Sequence, residues 1–253
     1  MDVAHSIQQA GFIYFHGHFI VDKQKIREKI WKEMEEKGIS TFPPPYGRIP
    51  NFVGAEKAAN NLSELDIWKE ANVLKSNPDS PQKSVRKKAL QEGKTIYMAV
   101  PRLRKEKCFI ELKGKMLANL ASTIKGAFKY GKSLYPWEMK KVDLVVVGSV
   151  AVNKKGARVG KGGGYSDIEF AIAKEFKIVR DDTPVVTTVH DIQVINDDIP
   201  MKEHDVPVDY IITPSRIIKT DGEFKKPRGI IWDILDKEIP ILEIIRKKLG
   251  KIE

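Results

Sequence analysis

The chain contains a single cysteine, Cys108 in the apolar run CFIEL, so it has neither a disulfide framework nor a CxxC zinc site. A lone thiol in such a run reads as a small core residue rather than a nucleophile, and it fits a reducing, cytoplasmic compartment. Long hydrophobic runs are also missing. No stretch reaches the roughly 18 apolar residues of a membrane span. The nearest candidate, AGFIYFHGHFIV, is interrupted by Gly11, His16, Gly17 and His18 and has no basic leader or small-residue cleavage site. Internal repeats and low-complexity segments are absent, and 18 Gly and 14 Pro among 253 residues are ordinary usage for a folded chain.

Acidic residues are scarce in the middle of the chain. Residues 81–141 carry 16 Lys and Arg against four Glu, a net of +12 in a protein whose formal charge is +10. A solvated Lys-rich exterior explains many such runs, yet the bias also favours anionic partners: nucleotides, polyanionic cofactors or RNA. Residues 1–20 differ from the rest, with His5, His16 and His18 and one acid, Asp2. We read them as a loosely attached extension preceding a single domain over 21–253. A metal at His16 and His18 would lack carboxylate or thiolate company.

From Lys23 the periodicity is helical, with Ile26, Ile30 and Met34 at i, i+4, i+8 and Gly38 as the stop. FPPPYGRIPNF cannot be helical and forms a structured loop. A second helix is expected over 62–74. NPDSP (77–81) is a turn, Pro81 opens a helix ending near Gly93, and another helix lies within 115–130. TIYMAV, CFIEL, VDLVVVGSV, PVVTTVH and VDYIITP read as strands, and ILEIIRKKLG as a C-terminal amphipathic helix. Continuous apolar strands alternating with helices predict an α/β fold with a mostly parallel sheet flanked by helices.

The chemistry concentrates in VDLVVVGSVAVNKKGARVGKGGGYSDIEF, where a buried strand leads through a glycine-rich loop into a helix. Ser166 followed by Glu169 matches a capping box, so the helix is expected to start at Ser166. Its free N–H groups, the glycines, Arg158 and Lys161 would together make an anion site, although a flexible hairpin would use the same glycines. The loop is neither a Walker A motif, which needs Lys-Ser/Thr after its last glycine, nor a dinucleotide fingerprint, which needs glycine where Tyr165 stands. Asp167, in the first helical turn, either complements the helix dipole or holds a magnesium beside a phosphate. Downstream, Asp205 is a second single carboxylate; Glu203, His204 and Asp205 alternate in direction on an extended chain and do not chelate as a trio. His190 and Asp191, at a strand end, suit turn chemistry better than a base with its orienter.

These residues resemble the 5-formyltetrahydrofolate cyclo-ligases, whose G-x-R-x-G-x-G-x-G-Y-Y-D loop follows an apolar strand and precedes an acidic H/N-D segment. The order agrees over roughly 142–218, and KQKIREK is similar to that family's K-x-x-x-R helix. REKIWKEMEEKGI, RIPNF, VPRLR, GKGGGYSDIE, HDIQ and EHD bring the chain closer still to the methenyltetrahydrofolate synthetase domain-containing subgroup. Longer members of that subgroup carry an RNA-recognition domain, for which this sequence shows no RNP-like segment. The resemblance implies a NagB/RpiA/CoA-transferase-like fold and MgATP-dependent closure of 5-formyltetrahydrofolate, or a related formylated pterin, to the 5,10-methenyl form with release of ADP and phosphate. It implies ATP contacts from Lys23, Arg27, Arg158, Gly160, Lys161, Gly162, Gly163, Gly164, Tyr165 and Ser166, catalysis by Arg158 and Lys161, and Mg2+ at Asp167 and Asp205. Departures are Ser166 for the second Tyr, Gly148 for a proline after the central strand, and no clear match for the family's folate-pocket Glu and Trp, with Glu56 and Trp137 the nearest. The alternative is a non-catalytic nucleotide- or RNA-binding protein using the basic 81–141 segment.

Overall fold

Leu144, Val145, Val146 and Val147 are all completely buried, and a strand buried on both faces must lie at the centre of a sheet covered on both sides. The computed structural model describes residues 12–15, 18–235 and 238–250, with side chains from residue 22, and it places LVVV in the middle of eight strands. These are β1 (Val73–Ser76), β2 (Thr95–Ala99), β3 (Phe109–Leu112), β4 (Lys132–Leu134), β5 (Leu144–Val147), β6 (Val185–Thr188), β7 (Tyr210–Ile212) and β8 (Ile217–Lys219), in the order β8-β7-β6-β5-β1-β2-β3-β4. The five strands from β7 to β2 pair in parallel, and β8, β3 and β4 close the two edges antiparallel. The expected parallel sheet is thus the core of a mixed one.

The strand period of two sorts the core into layers. Val145 and Val147 face a cluster with Phe170 and Ile172 of one helix and Ile241 and Ile245 of another. Leu144 and Val146 face the opposite cluster with Leu62, Val85, Ala89 and Leu90. Helices α2 (Ala55–Ser63) and α3 (Gln82–Gln91) therefore cover one face, and α4 (Tyr165–Glu175) and α5 (Pro240–Lys248) the other. Each fully buried Val or Leu contributes about 1.5–3 kcal/mol relative to exposure. A third cluster lies beyond the strand ends, where α1 (Lys23–Glu36) packs Ile26, Ile30 and Met34 against Ile49, Ala151 and Val159. Asp22 caps α1 through Gln24 N at 3.1 Å, and Gly38, at φ 62°, follows its end.

Two expectations need correcting. The helix expected over 62–74 is α2, which starts earlier, followed by a single turn at Asp66–Lys69 and then by β1. Gly54, at φ 88°, starts α2, and Lys75 disguises the strand because its charge is neutralised only by a distant residue. The helix within 115–130 is two short ones, Ala118–Ala121 and Ile124–Tyr130, separated where Thr123 caps Gly126 N. Residues Phe12–Phe15 and His18–Val21 pair as antiparallel strands, while His5 and His16 lie outside the described residues. Among the described residues no helix is long and apolar enough to cross a membrane.

Candidate functional site

From β1 the chain proceeds to β2 on one side of the sheet, and from β5 to β6 on the other. The carboxyl ends of β1 and β5 therefore diverge into a crevice, the position where open α/β sheets hold ligands. A cleft of about 470 Å3 opens there, floored by Asn77 and Gly148 at the two strand ends and walled by the glycine loop, Gly160 to Asp167. Gly148 is small for a reason: a Cβ would meet Gln82 Oε1 and Ile49 at 3.0 Å.

Asn77 is the hub of this floor. Its Oδ1 accepts from Gly148 N (3.3 Å) and Ser166 Oγ (3.2 Å), and its Nδ2 donates to Glu169 Oε2 (2.8 Å). Glu169 in turn pairs with Lys75 at 2.5 Å, both side chains almost wholly buried. Burial pushes the Glu169 pKa up, and Lys75 opposes the shift. The expected capping box is therefore not formed. Helix α4 starts at Tyr165 behind Gly164, whose φ of 66° lets the chain turn into the helix, and Glu169 faces the core instead of reaching back to the cap.

The structure gathers the residues the sequence singled out. Lys23 Nζ lies 2.7 Å from Asp205 Oδ2, and Arg27 Nε donates to Gly160 O at 2.7 Å, so the first two turns of α1 rest on both the glycine loop and the 202–205 loop. Burial draws the Arg27 pKa down, with Asp22 and Asp205 pulling the other way. Lys161 pairs with Asp79 at 2.7 Å across the cleft. Arg158 differs from the flanking cation expected of it. It is buried and donates to Val206 O (3.2 Å), Gly148 O (2.9 Å) and Asp167 Oδ1 (2.5 Å), so it orients the carboxylate rather than facing the cleft with an open charge.

Among the described residues no group of three or more His, Cys, Asp or Glu is close enough to hold a metal. The two predicted carboxylates are nevertheless arranged alike. Asp167 takes Arg158 and Val206 N on Oδ1, and Asp205 takes Lys23 and Lys202 N on Oδ2; the second oxygen of each has no partner among the described residues. Carboxylates pinned through one oxygen suit magnesium, which binds through one or two carboxylates together with substrate phosphates.

Two further cavities lie beyond the loop. One, of about 140 Å3, is lined by Gly164, Asp167, His204 and the apolar Ile230, Ile231, Ile234 and Leu235. It shares Pro227, Gly229, Ile230 and Ile231 with a larger one of about 620 Å3, where Asp205, Lys202, Lys225 and Arg228 also stand. Sequence reasoning missed Lys75, Asn77 and Asp79. The available signal was KSNPD at the end of a strand, hidden once β1 was read as helix.

The other candidates have structural roles. Burial raises the Cys108 pKa, so the thiol stays protonated in the core. His190 caps a short turn through Ile192 N, and Asp191 accepts from Thr213 and Ser215. Trp137 stacks on Tyr135 at 4.7 Å and does not line the cleft.

The methenyltetrahydrofolate synthase domain-containing proteins of Bos taurus and Homo sapiens are 43% identical over 239 residues and 42% over 242, covering 89% and 90% of this chain. The chain spans 62% of the length of each of these relatives. The solved 5,10-methenyltetrahydrofolate synthetase of Aquifex aeolicus is 19% identical with a TM-score of 0.49, over 79% of this chain and 93% of that one. The 5-formyltetrahydrofolate cyclo-ligase family model matches residues 20–214, well over half of the chain, and the protein belongs to that family.

Proposed function

We propose that the protein is an ATP- and Mg2+-dependent 5-formyltetrahydrofolate cyclo-ligase, closing 5-formyltetrahydrofolate or a related formylated pterin to the 5,10-methenyl form with release of ADP and phosphate. Besides family membership, one observation carries this reading: Gly164 and Asp167 line both the 470 Å3 cleft and the 140 Å3 cavity, so the glycine loop stands between two ligand spaces. A loop so placed suits transfer of a phosphoryl group from a nucleotide on one side to an acceptor on the other.

The nucleotide occupies the side with Ile230, Ile231, Ile234 and Leu235, its base on those apolar groups and its phosphates toward Gly160–Tyr165 and the first turn of α4, including Ser166. Lys23, Arg27 and Lys161 supply positive charge. Asp167 and Asp205 hold Mg2+, which neutralises charge on the phosphates. Arg158 acts by fixing Asp167. The pterin occupies the cleft between Ile49, Tyr165 and Ile124. There the formyl oxygen takes the γ-phosphoryl group as ADP leaves, N10 attacks the activated carbon and gives up its proton to solvent, and the C–O bond to phosphate breaks. Alignment of reacting groups in such a site contributes up to roughly 7–11 kcal/mol of barrier lowering.

The lone buried thiol suits a cytoplasmic, reducing setting for this reaction. RNA binding through residues 81–141 is the less supported reading, because Lys105, Lys107 and Lys129 in this segment already lie over Phe128, Tyr135 and Tyr130. Titration with MgATP, with and without 5-formyltetrahydrofolate, tests the proposal. The expected result is a methenyl absorbance appearing with ADP and dependent on both Mg2+ and the formyl substrate. Nucleotide binding without any product would refute the cyclisation. Unchanged nucleotide affinity and activity in Asp167→Asn would refute the magnesium assignment.

A further inference from the structure

Of the nine large hydrophobic side chains that stand exposed among the described residues, Met116, Leu120, Ile124 and Tyr130 fall within the fifteen positions 116–130, with Met116 99%, Leu120 51% and Ile124 43% exposed. This stretch is a short 3₁₀ turn (Lys115–Leu117) followed by the helices Ala118–Ala121 and Ile124–Tyr130, and its faces are inverted. The small Ala118, Ala121, Ser122 and Gly126 are buried, while the bulky Met116, Leu120 and Ile124, four positions apart, stand in water. A helical face that meets only solvent carries polar groups at such positions. Bulky apolar groups left outside, with polar ones around them, mark a surface that a partner covers.

The strip is held firmly by the fold. Ser122 O accepts the buried Arg86 Nε (2.9 Å), and Thr123 Oγ1 donates to Leu120 O (2.8 Å) and accepts Gly126 N (2.9 Å). A Cβ on Gly126 would collide with Leu120 O, so the second helix packs directly on the end of the first.

Charge selects the partner. From Leu112 to Trp137 the chain has five lysines and no acid. Lys113 pairs with Glu111 and Lys129 lies over Tyr130, but the ammonium groups of Lys115, Lys125 and Lys132 have no hydrogen bond or ion pair among the described residues. A second copy of this chain would set like charge against like. RNA bases need ring faces to stack on, whereas this strip is aliphatic and its exposed ring, Tyr130, is already taken by Lys129. A lipid surface takes an unbroken amphipathic helix, and here two short helices break at Ser122 and Thr123.

We propose that Met116, Leu120 and Ile124, with Lys115, Lys125 and Lys132, form a docking surface for an acidic protein segment that brings apolar side chains to the strip. Apolar contact supplies the affinity, and the lysines steer the approach and reject basic competitors. Ile124 also lines the 470 Å3 cleft, so a seated partner touches the cleft wall.

The test uses the whole chain and a fluorescein-labelled synthetic peptide of about 18 residues, long enough to be helical, with leucine at every third or fourth position and glutamate at most others. A scramble of the same composition, its leucines spread around the helix, controls for charge alone. Fluorescence anisotropy is expected to show saturable binding of the peptide, about tenfold or more tighter than the scramble and weakening as salt rises. Met116→Ser combined with Leu120→Ser should lose about tenfold or more in affinity. Lys125→Gln combined with Lys132→Gln should lose severalfold and flatten the salt dependence. Both double variants should keep the wild-type melting temperature, because all four side chains stand outside the core. No saturable binding, equal binding of peptide and scramble, or binding that survives Met116→Ser with Leu120→Ser overturns the inference. So does any of three results traced to the same residues: tighter binding of an oligouridylate than of the peptide, tighter binding of phosphatidylserine-containing vesicles, or self-association in sedimentation.

Discussion

Replacing Lys75 by Met tests whether the buried pair beneath the cleft is as isolated from water as its geometry states. Lys75 and Glu169 side chains are 1% and 4% exposed, and Asn77 donates to the same carboxylate oxygen as the lysine. Removing one partner of such a pair leaves a buried charge unmatched, at a cost of about 3–5 kcal/mol. For a protein of this size that lowers the melting temperature by roughly 6–20 °C. The loss should also depend on pH in a definite direction. Burial already raises the Glu169 pKa and Lys75 holds the rise in check, so deleting Lys75 raises it further. A carboxylate with a raised folded pKa contributes stability that is fully present below its unfolded pKa and is lost as pH rises through the folded one. Lys75→Met should therefore be most destabilised near pH 8 and recover toward pH 5, by about 1.4 kcal/mol for each unit the folded pKa moves. Urea unfolding of wild type and variant at both values measures this, the wild type cancelling the other titrating groups. An equal loss at pH 5 and pH 8, or a larger loss at pH 5, would refute the reasoning.

Three other substitutions follow from the same site. Arg86 is fully buried with its pKa drawn down to about 10, and it donates to the carbonyls of Asn77, Pro78, Asp79 and Ser122; Arg86→Met should cost at least about 3 kcal/mol and speed amide exchange over 77–80. Gly164→Ala should cost about 1–2 kcal/mol at its left-handed φ and weaken nucleotide binding, with Gly164→Asn milder in calorimetry. Gly148→Ala brings a methyl within 3.0 Å of Gln82 and Ile49, so acceptor affinity should fall while nucleotide affinity, measured separately, holds.

Local pattern made much of this fold legible. The Ile26, Ile30, Met34 spacing and Gly38 marked α1 because amphipathicity and helix stops act within a few residues, and LVVV marked a central strand because only a doubly covered strand is apolar throughout. The loop VGKGGGY with its following acid pointed to the strand end where the 470 Å3 cleft opens, and Lys23, Arg27 and Asp205 were picked out by motif although 182 residues separate Lys23 from Asp205.

What the sequence by itself determined is therefore the alternation of strand and helix and the glycine loop at a helix start, set by hydrophobic period and backbone sterics, and the excess of positive charge, set by composition. What only the tertiary structure decided is how each charge is used. Lys75 reads as surface until Glu169 reaches it across 94 positions, Glu169 reads as a capping residue until the core claims it, and Arg158 reads as an open cation until Asp167 binds it. Charge pairing acts through space at a few ångströms, and a linear chain carries no record of which distant residues the fold will bring that close.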